Sequence, residues 1–195
     1  MGREPLTFIT LCVLVLARTI DLAVTFHFSP TLGAEGNPIF LLVGGGRVSL
    51  LLFTSIFPIL AIGFLIVLWR GNALAWNEPP ATLRAFVRGW LERVVFDRQP
   101  LTAYFSGQTH ASEGIQAIRL FGCSLSWALI FGSAAAVYAW AAAFSFGGPK
   151  FLRFFSLVSI GRFSLLPAIF AVFGGLFGAL LFFLSDFALL KNSKN

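Results

Sequence analysis

Charge is scarce in this chain: Lys, Arg, Asp and Glu together make up 11% of its 195 residues. A soluble domain carries about 25%, so water is not the solvent for most of this surface. Cysteine is almost missing as well, with only Cys12 and Cys123, each inside an apolar run. Two separated thiols make neither a disulfide framework nor a clustered metal site, and both read as buried small hydrophobes. The two histidines, His27 and His110, fall on opposite sides of the expected membrane, which argues against bis-histidine haem. No metal or other cofactor is expected. Acidic groups are outnumbered, giving a net charge of +6. The basic residues are scattered between apolar runs, a placement that suits anionic lipid headgroups and not nucleic acid.

What is present is apolar length. Hydrophobic residues reach 57%, 24 of them Phe, and the mean hydropathy is +0.86. The simplest reading is an all-α integral membrane bundle of four transmembrane helices, since a span takes about 20 residues. The spans are Leu6–Phe28, about Val48–Trp69, about Phe121–Phe144 and about Phe163–Phe187. Ile39 to Trp69 is apolar almost throughout but too long for one upright span, and Gly44-Gly45-Gly46 offers the break. The N-terminus imitates a signal peptide, with Arg3, an apolar run and Val15-Leu16-Ala17. The apolar stretch resumes after Asp21, however, so an uncleaved first span is predicted.

Residues 1–70 thus form a first hairpin, 71–119 a cytoplasmic connection, and 120–195 a second hairpin with a short tail. Phe40–Leu51 aligns without gaps on Phe155–Leu166, sharing Gly-Arg-x-Ser-Leu-Leu, as two parallel hairpins would require. Arg3, Arg70, Arg84, Arg88, Arg93, Arg98, Arg119, Lys191 and Lys194 collect on one side. The other side holds Lys150 and Arg153, with Arg47 and Arg162 at the membrane edge. By the positive-inside rule both termini face the cytoplasm.

In the connection, Leu83, Phe86, Val87, Trp90, Leu91, Val94 and Val95 recur at helical spacing, bounded by Pro79-Pro80 and Pro100. Arg84, Arg88, Glu92 and Arg93 take the other face. This predicts an amphipathic interfacial helix over 82–96, with Arg84, Arg88, Trp90 and Arg93 meeting lipid headgroups or a partner protein. The stretch Gly107–Gly114, with His110 and Glu113, reads as a solvated loop.

Arg18, Asp21 and Thr25 share one face of the first span. A charge inside a membrane costs about 2.5–3.5 kcal/mol on insertion scales, so such residues find partners or do chemistry. The cluster is either an ion, proton or substrate site or an internal salt bridge, extended by Arg47. Glu35 and Asn37 lie in the following turn, where Asn37-Pro38 is suited to start a helix. In the fourth span, Gly174 with Gly178 and Gly175 with Ala179 form a small-residue pattern for close helix packing, with Ala134–Ala136 and Ala141–Ala143 as the facing surface.

The run Asp21-Leu22-Ala23-Val24-Thr25, then Gly33, Glu35 and Asn37-Pro38, resembles the signature of a family of small prokaryotic membrane proteins of unknown function. That family has Asp-x-x-x-Thr in one span, a Gly-x-x-Glu-x-Asn-Pro turn and a basic residue in the next span, which Arg47 matches. The Gly-to-Glu spacing here is one residue shorter. The resemblance covers residues 6–69; it implies a prokaryotic inner membrane and no activity.

Three functions remain open at this level. The first is an accessory or assembly subunit of a membrane complex, working by helix–helix association with other subunits or with itself. The second is a small transporter or channel using the Asp/Glu/Arg cluster. The third is a membrane-embedded enzyme, weakened by the lack of any zinc-protease, nucleophile-elbow or nucleotide-binding motif.

Overall fold

The structure is a computed structural model and describes residues 3–28, 47–70, 76, 78–94, 111–145, 159–160, 163–164 and 166–192. It is helical: α1 is Arg3–Phe28, α2 Arg47–Arg70, α3 Leu83–Val94, α4 Ala111–Ser145 and α5 Leu166–Asn192. Two two-residue strands, β1 Ser159–Ile160 and β2 Phe163–Ser164, pair antiparallel. Three helices contain segments long and apolar enough to cross a membrane: Glu4–His27, Ile115–Ala141 and Leu166–Asn192. In α2 a shorter apolar segment, Ser55–Ile66, is described.

The helix limits correct three expectations. Helix α4 starts at Ala111, ten residues ahead of the expected span, so Glu113 is helical and not in a loop. Its 35 residues reach about 52 Å at 1.5 Å per residue, well beyond a hydrocarbon core of about 30 Å. At the far end, Phe163 pairs with Ile160 in a strand, and α5 begins at Leu166. Pro167, just inside that start, fits a first turn that needs no amide donor.

Helix α4 is the hub against which α1, α2, α3 and α5 all pack. Its closest approaches are made where side chains are missing. A Cβ on Gly178 would sit 2.6 Å from the Cys123 carbonyl oxygen, and one on Gly174 would be 2.7 Å from Phe131 Cβ and clash with the Trp127 carbonyl. Gly175 meets only ordinary contacts, 3.7 Å to Ser124 O and 3.8 Å to Ala128 Cβ. So Gly174 and Gly178 are the line of close approach, and Gly175 with Ala179 stands to one side of it. The surface that faces these two glycines is Cys123, Ser124, Trp127 and Phe131; the side chains of Ala142 and Ala143 lie outside the described residues. On the opposite flank Gly122 admits α2, where an added Cβ would clash with Phe64.

These contacts also set direction. Gly178 lies by Cys123, Gly174 by Trp127, and Gly132 by Pro167 and Ala171, so α4 and α5 are antiparallel. Leu14 packs in one cluster with Ala61 and Ile130, while Arg18 bonds Ser133. Helices α1 and α4 therefore run parallel.

The outer faces are apolar. Phe8, Leu16, Ile59, Val172, Phe173 and Leu176 are each at least 60% exposed. Monomeric soluble proteins rarely leave contiguous apolar patches beyond a few hundred Å², so these faces suit lipid. Cys12 is exposed among them, against the expectation that both cysteines are buried; Cys123 is fully buried.

Helix α3 closes one end of the bundle. Thr82 caps it: its Oγ1 accepts from Ala85 N at 3.2 Å and its carbonyl from Phe86 N at 2.9 Å. The aromatic face turns inward, with Phe86 2% and Trp90 0% exposed. Trp90 lies 5.2 Å from the Phe183 ring and 5.8 Å from Phe182, and Phe86 lies 5.7 Å from Phe187. Trp90 is thus packed inside the protein, which corrects its expected contact with headgroups or a partner. Phe182, Phe183 and Phe187 of α5 cover this face. Arg84 and Arg88 remain exposed, Arg88 paired with Glu92 at 2.8 Å, and Arg93 lies over the Trp76 ring at 5.4 Å. The Arg88–Glu92 pair is solvent-exposed and of the kind that adds little stability.

Candidate functional site

Among the described residues, the charged side chains buried within the apolar helices form two groups, both touching α4. In the first, Arg18 Nη1 donates to Asp21 Oδ2 at 2.7 Å and to Ser133 Oγ at 2.8 Å. The two charged side chains are 17% and 14% exposed. The i, i+3 spacing on α1 produces the pair, and Ser133 ties it to α4. Thr25 lies one turn further along the same face and is 6% exposed. Glu35 and Asn37 lie outside the described residues, as does the side chain of Arg47.

The second group was not anticipated. Arg119 Nη1 donates to Gln116 Oε1 at 2.7 Å, and Arg119 Nη2 reaches Asp186 Oδ1 at 3.4 Å. The Arg119 and Asp186 side chains are 0% and 2% exposed. The Arg119 guanidinium also lies 5.6 Å over the Phe182 ring, an attraction that strengthens when water is excluded. Arg119, expected among the headgroup-facing basic residues outside the spans, is therefore a core residue. A signal did exist: Asp186 is the one acidic residue in the last apolar run, and Arg119 stands just before the third. In an antiparallel hairpin those two ends meet.

Both groups lie on a longer polar line. Gln116, Arg119, Cys123, Ser126, Ile130 and Ser133 follow one another at three- and four-residue steps, and all are buried. Such steps keep one helix face turned to the core. On α1, Thr7, Thr10, Leu14 and Thr25 are likewise buried, and Arg18 and Asp21 fall in the same series. The two series meet where Arg18 bonds Ser133, while Arg119 on the α4 series turns to Asp186 of α5. The layer of Leu14, Ala61 and Ile130 is apolar.

Among the described residues, no three His, Cys, Asp or Glu side chains cluster as metal ligands. The groups present can pair charges, accept and donate hydrogen bonds, and carry protons. Against known protein families, curated proteins and solved structures, the chain finds no match.

Proposed function

We propose that this is a four-span protein of a prokaryotic inner membrane that works by helix–helix association, as an accessory or assembly subunit of a membrane complex. Helix α2 is the remaining span, and both termini face the cytoplasm. Helix α3 lies on that side at the headgroup layer, with its aromatic face on α5 and with Arg84 and Arg88 toward lipid phosphates. The resemblance of residues 6–69 to small prokaryotic membrane proteins supports this setting.

One observation carries the reading. Interior charges are spent on one another around α4, Arg18 with Asp21 and Ser133, and Arg119 with Asp186 and Gln116. The broad outer faces of α1 and α5 are apolar and offer themselves to lipid and to other helices. A buried pair is weak evidence for added stability, and here each group joins α4 to a neighbouring helix, Arg18 to Ser133 and Asp186 to Arg119. The test is the native mass of the protein released in mild detergent. Other membrane proteins held in fixed stoichiometry support the subunit reading. A chain that runs alone, or only as copies of itself, contradicts it.

A further inference from the structure

Thr7, Thr10 and Ser185 are 2%, 0% and 6% exposed, yet their hydroxyls have no hydrogen-bond partner among the described residues. Helical Ser and Thr usually satisfy themselves on the carbonyl one turn back. Thr19 does so on Val15 and Ser126 on Gly122, at 2.8 and 2.7 Å. Thr7 and Thr10 do not, although both belong to the buried series of α1 that meets α4 at Leu14 and Arg18. A buried hydroxyl left unbonded costs about 1–3 kcal/mol, and water is the ligand that most simply meets two or more such groups.

The parallel register locates these hydroxyls. With Arg18 on Ser133 and Leu14 with Ile130, the same offset sets Thr10 level with Ser126 and Thr7 level with Cys123. One turn further toward the helix starts, α4 carries Arg119 and Gln116, with Asp186 across from them. The polar series from Thr7 to Thr25 covers nineteen residues of α1, about 27 Å over its eighteen steps of 1.5 Å and close to a hydrocarbon core of about 30 Å. It has a carboxylate near each end, Asp186 and Asp21, each beside an arginine. Leu14, Ala61 and Ile130 interrupt it between Ser126 and Ser133.

From this we infer that the α1–α4 seam is a proton path through the membrane, closed at rest by the Leu14–Ala61–Ile130 layer. A proton from water at the Asp186 end passes along hydroxyls and the waters they hold. At each hop one O–H bond forms as another breaks. At the other end it leaves through Asp21 and Ser133 to water, and every side chain returns to its starting state. The ligands are water and the proton, and no oxidant or reductant takes part. This goes beyond the assembly reading and does not depend on it.

The test uses the full chain in liposomes that enclose a pH-sensitive dye, with a potassium diffusion potential to drive protons inward. Leu14→Ser places a hydroxyl in the closing layer and is expected to raise proton entry about tenfold over the unaltered protein. Ile130→Ser opens the same layer from α4 and serves if Leu14→Ser does not fold, as judged by circular dichroism and monodisperse elution. Thr10→Val, close in shape but without the hydroxyl, should return either variant to the resting rate. Proton entry that neither opened variant raises overturns the proposal. So does entry that survives Thr10→Val, or a leak that passes sodium as readily as protons, because each marks a packing defect.

Discussion

Arg119 on α4 and Asp186 on α5 are 67 residues apart in the chain and 3.4 Å apart in the fold, and neither is more than 2% exposed. The relationship follows from the hairpin itself. Antiparallel helices bring the beginning of one beside the end of the other, and the Gly174–Gly178 line lets these two run in close contact up to that point. Gln116 and the Phe182 ring then complete the surroundings of the guanidinium.

Asp21→Asn should destabilise the protein by about 3–5 kcal/mol, because Arg18 is left charged and partly buried without its carboxylate. The double variant Arg18→Gln with Asp21→Asn should recover much of that loss. Ser133→Ala removes one hydrogen bond to a charged group and should cost about 1.5–3 kcal/mol. Thermal unfolding in detergent reads all three. Unchanged stability in Asp21→Asn would mean that the pair does not hold α1 to its neighbours.

Gly178→Leu should separate α4 from α5, since even a Cβ would stand 2.6 Å from the Cys123 carbonyl. Gly175→Ala, whose added carbon meets only contacts of 3.7 and 3.8 Å, should leave the protein within about 0.5 kcal/mol of its original stability. Elution profile and melting temperature in mild detergent separate the two. Equal tolerance of both substitutions would place the helix contact elsewhere.

The general architecture was readable because a membrane imposes long apolar runs, and α1, α4 and α5 stand where those runs lie. Arg18 and Asp21 were readable as a pair because one turn of a single helix brings them together. Arg119 was misplaced for the opposite reason. Its partner is remote in sequence, and a basic residue at the edge of a span looks like a headgroup anchor until the facing helix is known. Trp90 shows the same limit: periodicity reveals that a helix has an apolar face but not what covers it. The choice between Gly174–Gly178 and Gly175–Ala179 was equally hidden, since two small-residue lines on one helix differ only in which way the neighbour lies. The buried Thr7 and Thr10 fit the ordinary heptad spacing of a core, where their polarity draws little notice among so many apolar residues.

Trp90→Ala should release α3 from the end of the bundle, as loss of a fully buried Trp in a packed core costs about 3–5 kcal/mol. Amide hydrogen exchange over residues 83–94 should accelerate strongly while exchange in α4 and α5 changes little. Arg88→Ala, at an exposed position, should leave that exchange as it was. If Trp90→Ala has no effect on exchange in α3, the aromatic face is held by something other than Phe182 and Phe183.

The proposed four-span topology predicts that cysteines introduced singly at Gly36 and Ser112, in a background with Cys12→Ala and Cys123→Ala, label from opposite sides of the membrane. An impermeant maleimide applied to intact cells should reach position 36 and reach position 112 only after lysis. Labelling of both from one side would remove α2 from the spans.

The account rests most heavily on interior charges that are spent on one another, and a double-mutant cycle on Arg119 and Asp186 measures that directly. Arg119→Gln and Asp186→Asn should each cost about 3–5 kcal/mol in reversible unfolding, and the double variant far less than their sum. Equal and strictly additive losses would show that the two residues do not depend on each other, and would contradict the account.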